Sequence, residues 1–298
     1  MLDNGVLLSD ESKTSEYLKE LPLIERLKGG PVRTEIDIYE DDVLKETVSN
    51  RVVVTGAMLN ALKLFNVDSP MHTPTYDEEM HLDEVVAPDP SATTKDNFVC
   101  LFCCDDSGCG TDPDDIYVAN FIDRIKPDTD ISDVRSDKIF PFRFVDRGTD
   151  IEDDLKKYYF GKKTFPASGN ANPAYDNKIA YYFKRFSTEP QLHVQYADGT
   201  QVIGENIYRV STTQQCEVYI ETQLVINKDD FKDYFDQVLT WPKARVSSVS
   251  LVHAYRKTDT AANKTCYFNI TPYTKLNFSY RLLQSLTSGL RFVYRIYY

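Results

Sequence analysis

No stretch of this 298-residue chain approaches the roughly 18 to 20 consecutive apolar residues needed to span a bilayer as a helix. The start, Met1-Leu-Asp-Asn-Gly5, has neither the basic region nor the apolar core of a signal peptide. The expectation is a soluble chain with no membrane partner, made in the cytoplasm. Basic charge is also short: 34 Lys and Arg stand against 46 Asp and Glu, a net charge of -12. That is the wrong sign for a surface built to neutralise phosphates, so sequence-specific nucleic-acid binding is not expected.

Histidine is scarce and badly placed for catalysis. His72, His81, His193 and His253 form no H-E-x-x-H, and no G-x-S-x-G elbow accompanies them. His72 and His81 fall in an unpatterned segment, and His253 in a strand, where a structural role is the default. Gly108-Cys-Gly110 lacks the rest of a dinucleotide or phosphate-binding loop. Paired acids such as Asp114 and Asp115 point apart in an extended chain, whereas glycoside hydrolysis needs two carboxyls facing each other. No catalytic residue, no cofactor and no enzymatic activity are expected.

Two features invite a metal. Cys100, Cys103, Cys104 and Cys109 are closely spaced, and Ser107-Gly108 offers a turn that can gather thiolates around zinc. Against this, Cys100 and Cys103 take opposite faces of a regular strand and no second C-x-x-C follows, so small buried hydrophobes are the favoured reading. Cys216 and Cys266 are isolated and are read as core residues. The acidic runs Asp112-Pro-Asp-Asp115 and Asp128-Thr-Asp130-Ile-Ser-Asp133 lack the glycine and distal glutamate of an EF-hand loop and read as solvated loops. The sequons at Asn263, Asn269 and Asn277 mean little without secretion.

Aromatic residues are what the chain has in excess. Twenty Tyr and 16 Phe accompany a single Trp, a composition that suits strands and contact surfaces. The C-terminal segment is the sharpest case. Leu290, Phe292, Tyr294, Ile296 and Tyr298 alternate with Arg291, Val293, Arg295 and Tyr297, the period-2 pattern of a half-buried strand tied into a sheet. Further strands are expected at Val32 to Tyr39, Arg51 to Thr55, Phe98 to Cys104, Ile139 to Val145, Lys178 to Phe186, Glu217 to Ile226, Val246 to Tyr255 and Thr265 to Ile270.

Helical spacing is expected over Thr14 to Lys28, stopped by Gly29-Gly30-Pro31, and over Ala57 to Phe65. A short helix over Ile151 to Tyr159 is closed by Gly161. Asn227 caps a helix from Lys228 to Leu239, with Asp230 at the capping-box position and Phe231, Tyr234, Phe235 and Val238 on one face. Strands outnumber helices without βαβ alternation. The expected fold is mainly β with inserted helices, an antiparallel sandwich-like body behind an N-terminal helical arm. Residues 1–30 form the arm, 31–96 a small α/β segment ending in an extended Pro-rich acidic linker, and 97–298 the β-rich body.

The strings Phe98-Val-Cys-Leu-Phe102, Gly108-Cys-Gly110, Pro141-Phe-Arg-Phe144, Lys157-Tyr-Tyr-Phe-Gly-Lys-Lys163, Ile179-Ala-Tyr-Tyr-Phe-Lys-Arg-Phe186, Tyr196-Ala-Asp-Gly-Thr200 and Leu290 to Tyr298 resemble a group of virion structural proteins of large tailed bacteriophages, over most of the chain. The resemblance implies a mainly β, non-enzymatic component present in many copies in the virion, most naturally a neck protein connecting head to tail. A capsid decoration or minor capsid protein is one alternative. A tail-tip carbohydrate- or receptor-binding module, using Tyr175, Tyr181 and Tyr182 with the Asp105 to Asp115 loop, is another. The implied partners are copies of itself and portal, adaptor, tail or capsid proteins. Residues 1–30, the Asp68 to Asp96 segment and the loop Phe165 to Asn177 are the expected contact elements.

Overall fold

The computed structural model describes residues 33–51, 56, 98–105, 126–127, 138–170, 172–204, 216–239, 245–259, 264–282 and 289–298. The expected arm, the helix at Ala57 to Phe65, the Asp68 to Asp96 segment and nearly all of the Asp105 to Asp137 stretch lie outside them. In chain order the described strands are β1 (Arg33–Glu40), β2 (Val43–Arg51), β3 (Phe98–Asp105), β4 (Lys126–Pro127), β5 (Lys138–Ile139), β6 (Arg143–Asp146) and β7 (Tyr159–Thr164). They continue as β8 (Lys178–Lys184), β9 (Thr188–Tyr196), β10 (Gln201–Ile203), β11 (Cys216–Ile226), β12 (Val246–Asp259), β13 (Lys264–Arg281) and β14 (Leu290–Tyr297).

Two antiparallel sheets hold all but one pair of these strands. Sheet 1 has the order β10-β9-β11-β14-β1-β2, and sheet 2 the order β13-β12-β3-β8-β6, with β7 also paired to β8. The short β4 and β5 pair in parallel. The C-terminal strand is therefore central, paired on one side with β1 and on the other with β11. Placing β1 beside β14 also builds residues 33–51 into the same sheet as β9, β10 and β11.

The alternation along β14 decides how the sheets meet. Leu290, Phe292, Tyr294 and Ile296 are buried together with Ile36 and Ile38 of β1 and Leu224 and Ile226 of β11. Phe102 of β3 stands edge-on to Tyr294 at 5.4 Å, and Phe278 of β13 lies 5.5 Å from Phe292. The Tyr294 hydroxyl hydrogen bonds Thr274 of β13. One apolar cluster thus spans both sheets, the arrangement that buries one face of each.

Several local expectations need correction. No helix runs from Ile151 to Tyr159: one turn, α1 (Asp153–Lys156), is followed at Tyr159 by β7, and Gly161 sits inside that strand at φ 67°. The helix expected from Lys228 begins only at Lys232, because Phe231 takes a left-handed conformation at φ 63°. The helix α2 (Lys232–Tyr234) continues as a π-helical turn over Phe235–Leu239. Its apolar face is as expected, with Phe231, Tyr234, Phe235 and Val238 buried. The single strand expected over Ile139 to Val145 is split into β5 and β6, and β13 runs well past Ile270 to Arg281. The strands β2, β9 and β10 lie outside the expected set: β10 is three residues long, and in β9 the alternation of Leu192, Val194 and Tyr196 follows a charged, proline-bearing start. Two residues join β1 to β2, and both, Asp41 and Asp42, have positive φ, the demand of a tight primed turn.

Gly289, which leads into β14, has φ 102° and no room for a side chain: a Cβ there would meet the Ile226 carbonyl oxygen at 2.2 Å. Gly289→Ala is expected to destabilise the fold by about 1–3 kcal/mol from backbone strain alone, plus the displacement of β11. A lowered urea midpoint would register it; an unchanged midpoint would mean that the β11–β14 junction is not fixed as described.

Candidate interaction surface

The face of sheet 1 turned away from sheet 2 carries the second set of alternating residues. On β14 these are Arg291, Val293, Arg295 and Tyr297, and the antiparallel register sets each beside a partner on β1 and on β11. Arg295 lies between Glu35 and Glu221 in the register, and its guanidinium donates to Asp37 Oδ2 at 2.7 Å, Glu221 Oε2 at 2.8 Å and Glu35 Oε1 at 3.2 Å. Thr47 of β2 donates to the other oxygen of Asp37. Burial opposes the charge on Arg295, but the hydrogen bonds and charge of Asp37 and the bond to Glu221 outweigh it and hold the guanidinium above its usual range. One cation between three carboxylates ties three strands together and Thr47 adds a fourth, a network rather than an isolated surface pair.

The next row is aromatic. His193 of β9 stacks on Tyr219 of β11 at 4.9 Å and 12°, Tyr219 contacts Tyr297 at 5.0 Å, and Arg33 of β1 covers the Tyr297 ring at 3.7 Å. Arg33 also faces Glu217 at 3.4 Å. At the other end of the sheet Arg291 lies over the Tyr39 ring at 3.8 Å. His193 and Tyr219 are themselves buried, so the half-buried Arg33, Tyr39, Arg291 and Tyr297 are the groups of this face within a partner's reach.

Exposed apolar side chains gather at the margins of this sheet. Val43 and Leu44, 56% and 49% exposed, open β2 at one edge, and Ile203, 42% exposed, ends β10 at the other. Among the described residues β2 pairs only with β1 and β10 only with β9. Tyr298 is 57% exposed at the end of β14, although its backbone N–H donates to the Val218 carbonyl. An open strand edge bearing exposed apolar side chains is the feature that proteins commonly cover or blunt unless it serves contact.

A separate polar centre lies between the sheets. Lys184 ends β8 in sheet 2, and its ammonium reaches across to Asp230 in the connection after β11 of sheet 1, Nζ to Oδ2 at 2.5 Å. Both side chains are inside the protein, 5% and 0% exposed. Lys184 Nζ also donates to the Val225 carbonyl at 2.8 Å. Asp230 accepts further bonds from the Tyr159 hydroxyl at 2.7 Å and the Asn227 backbone N–H at 2.8 Å. Burial pushes the Tyr159 phenol well up, and the Asp230 charge adds to it, so the hydroxyl stays a donor. The capping-box reading of Asp230 was half right: it accepts the Asn227 N–H, but its main partner is a lysine 46 residues away in sequence. No sequence spacing announces that pair.

The other candidates are placed as follows. Cys103 and Cys104 are buried in β3, Cys100 is half-buried, and Cys109 lies outside the described residues. Burial, helped by Cys103 and Asp105, pushes the Cys104 thiol well up, the opposite of what a thiolate ligand needs. Among the described residues no group of three or more His, Cys, Asp or Glu side chains is arranged to hold a metal ion. Tyr175, Tyr181 and Tyr182 are buried, so they offer no platform to a sugar ring. The loop Phe165 to Asn177 is folded back on its own base: Phe165 and Tyr175 are buried, and Asn177 N–H donates to the Pro166 carbonyl.

No helix among the described residues is long and apolar enough to cross a membrane. No protein-family model matches the chain, and no curated protein or solved structure is significantly similar to it.

Proposed function

We propose that this chain is a non-enzymatic structural subunit that works by protein–protein assembly, the role implied by its resemblance to virion proteins of large tailed phages, with the neck between head and tail as its place. The observation that carries the reading is the pair of unlike margins of sheet 1, Val43 and Leu44 at one edge and Ile203 at the other. Contacts between two different edges are heterologous, and heterologous contacts form a ring when the rotation between neighbours closes and a filament when it does not. The Arg and Tyr groups on the adjoining face belong to the residue types enriched at protein interfaces.

Native mass spectrometry of the full-length chain tests this directly. A closed multimer is expected, and Leu44→Asp or Ile203→Asp is expected to shift it toward monomer with the β circular dichroism unchanged, since exposed substitutions usually change stability by no more than about 0.5 kcal/mol. Co-sedimentation with portal and tail components rather than with empty shells places the subunit in the neck; binding to shells favours the capsid-decoration alternative. A chain that stays monomeric and sediments with neither is not an assembly subunit of this kind.

A further inference from the structure

We propose that Lys184 and Asp230 are the two ends of an intramolecular isopeptide bond that covalently joins the two sheets. The pair holds the two reacting groups together away from solvent. The amine and the carboxyl are in direct contact, 2.5 Å from Nζ to Oδ2, and are walled off from water at 5% and 0% exposure. The ring of Tyr159 lies 5.2 Å from Nζ and that of Phe142 6.0 Å away, with Phe231 stacked on Phe142 at 4.5 Å. So dry a setting also withholds the bulk water that would hydrolyse the product. Fixed contact between reacting groups lowers the barrier, with effective concentrations of up to about 10⁵–10⁸ M for well-oriented pairs.

The bonds balance without any other reagent. One ammonium proton passes to the Asp230 carboxylate, and the freed Nζ lone pair attacks Cγ. The C–N bond forms as the Cγ=Oδ1 electrons move onto Oδ1, where the Tyr159 hydroxyl, already 2.7 Å away, donates to the developing oxyanion. As the carbonyl re-forms, the Cγ–Oδ2 bond breaks, and Oδ2 takes a second proton from nitrogen and leaves as water. The remaining amide N–H has an acceptor in place, the Val225 carbonyl that Nζ contacts at 2.8 Å. The new carbonyl keeps its donor in Tyr159. Only the Asn227 N–H, which held Oδ2, loses its partner. Among the described residues a second buried lysine–carboxylate pair, Lys275 and Asp105, stands farther apart, at 3.6 Å. The inference does not rest on the assembly reading.

The test is the mass of the purified, folded full-length chain, measured under denaturing conditions after days at neutral pH. The expected value is one water below the sequence mass, and proteolysis is expected to yield a branched peptide joining the segments around Lys184 and Asp230. Lys184→Arg, which keeps an ion pair while removing the nucleophile, and Asp230→Ala are both expected to show the full sequence mass. Asp230→Asn is expected to lose ammonia instead of water. A wild-type chain at its full mass overturns the proposal, and so does a water deficit that persists in Lys184→Arg.

Discussion

Asp230→Ala is expected to destabilise the protein by about 3–5 kcal/mol, the cost of stranding a charged partner in the interior. The substitution leaves the Lys184 ammonium with the Val225 carbonyl as its remaining described acceptor, and it removes the acceptor of the Tyr159 hydroxyl and of the Asn227 N–H. Lys184→Met is expected to cost less. In that variant the carboxylate keeps both donors, and the methionine stem replaces most of the lost packing. Urea unfolding of the two variants and their double mutant, each compared with Lys184→Arg, which keeps the ion pair but cannot form the cross-link, measures the asymmetry. Equal costs would mean that the two donors to Asp230 contribute little, and negligible costs that the pair is not closed off from water.

The second large effect is expected at Phe292. It is buried in the central strand of sheet 1 and contacts Phe278 of the opposite sheet, so Phe292→Ala is expected to cost about 3–5 kcal/mol through lost burial and the cavity left behind. One position earlier, Arg291 lies on the other face, over Tyr39 and 3.4 Å from the exposed Asp42. Arg291→Ala is expected to cost no more than about 1 kcal/mol. Thermal or urea melts of the pair test whether β14 is seated as described, since a one-residue slip would exchange the two outcomes.

Strands with strict apolar alternation were legible before any fold was known. β1 and β14 fall within a residue or two of where their alternation puts them, because a half-buried strand must repeat every second residue, and β3 and β11 are marked instead by their dense apolar and β-branched content. By contrast β9, Thr-Glu-Pro-Gln-Leu-His-Val-Gln-Tyr, alternates only in its second half, and its pairing with β11 extends the strand through the charged, proline-bearing first half. Phe231 shows the same limit at a helix start. Nothing in its neighbours demands a left-handed φ; its ring stacks on Phe142 and its N–H donates to the Phe142 carbonyl, both from a distant segment. Tyr175, Tyr181 and Tyr182 read along the chain as a sugar platform, yet all three are core residues, since surface and core tyrosines read alike until burial separates them.

By itself the sequence determined that this protein is built from strands, that its last apolar alternation is a two-faced strand, and that Phe231, Tyr234, Phe235 and Val238 turn one way into a core. Those are properties of local period and composition, which act over a few residues. Only the tertiary structure decided that β14 lies at the centre of sheet 1, that Arg295 gathers Glu35, Asp37 and Glu221, and that Lys184 meets Asp230 between the sheets. These depend on which distant strands become neighbours, a choice made by the burial of whole faces. No residue spacing along the chain encodes it.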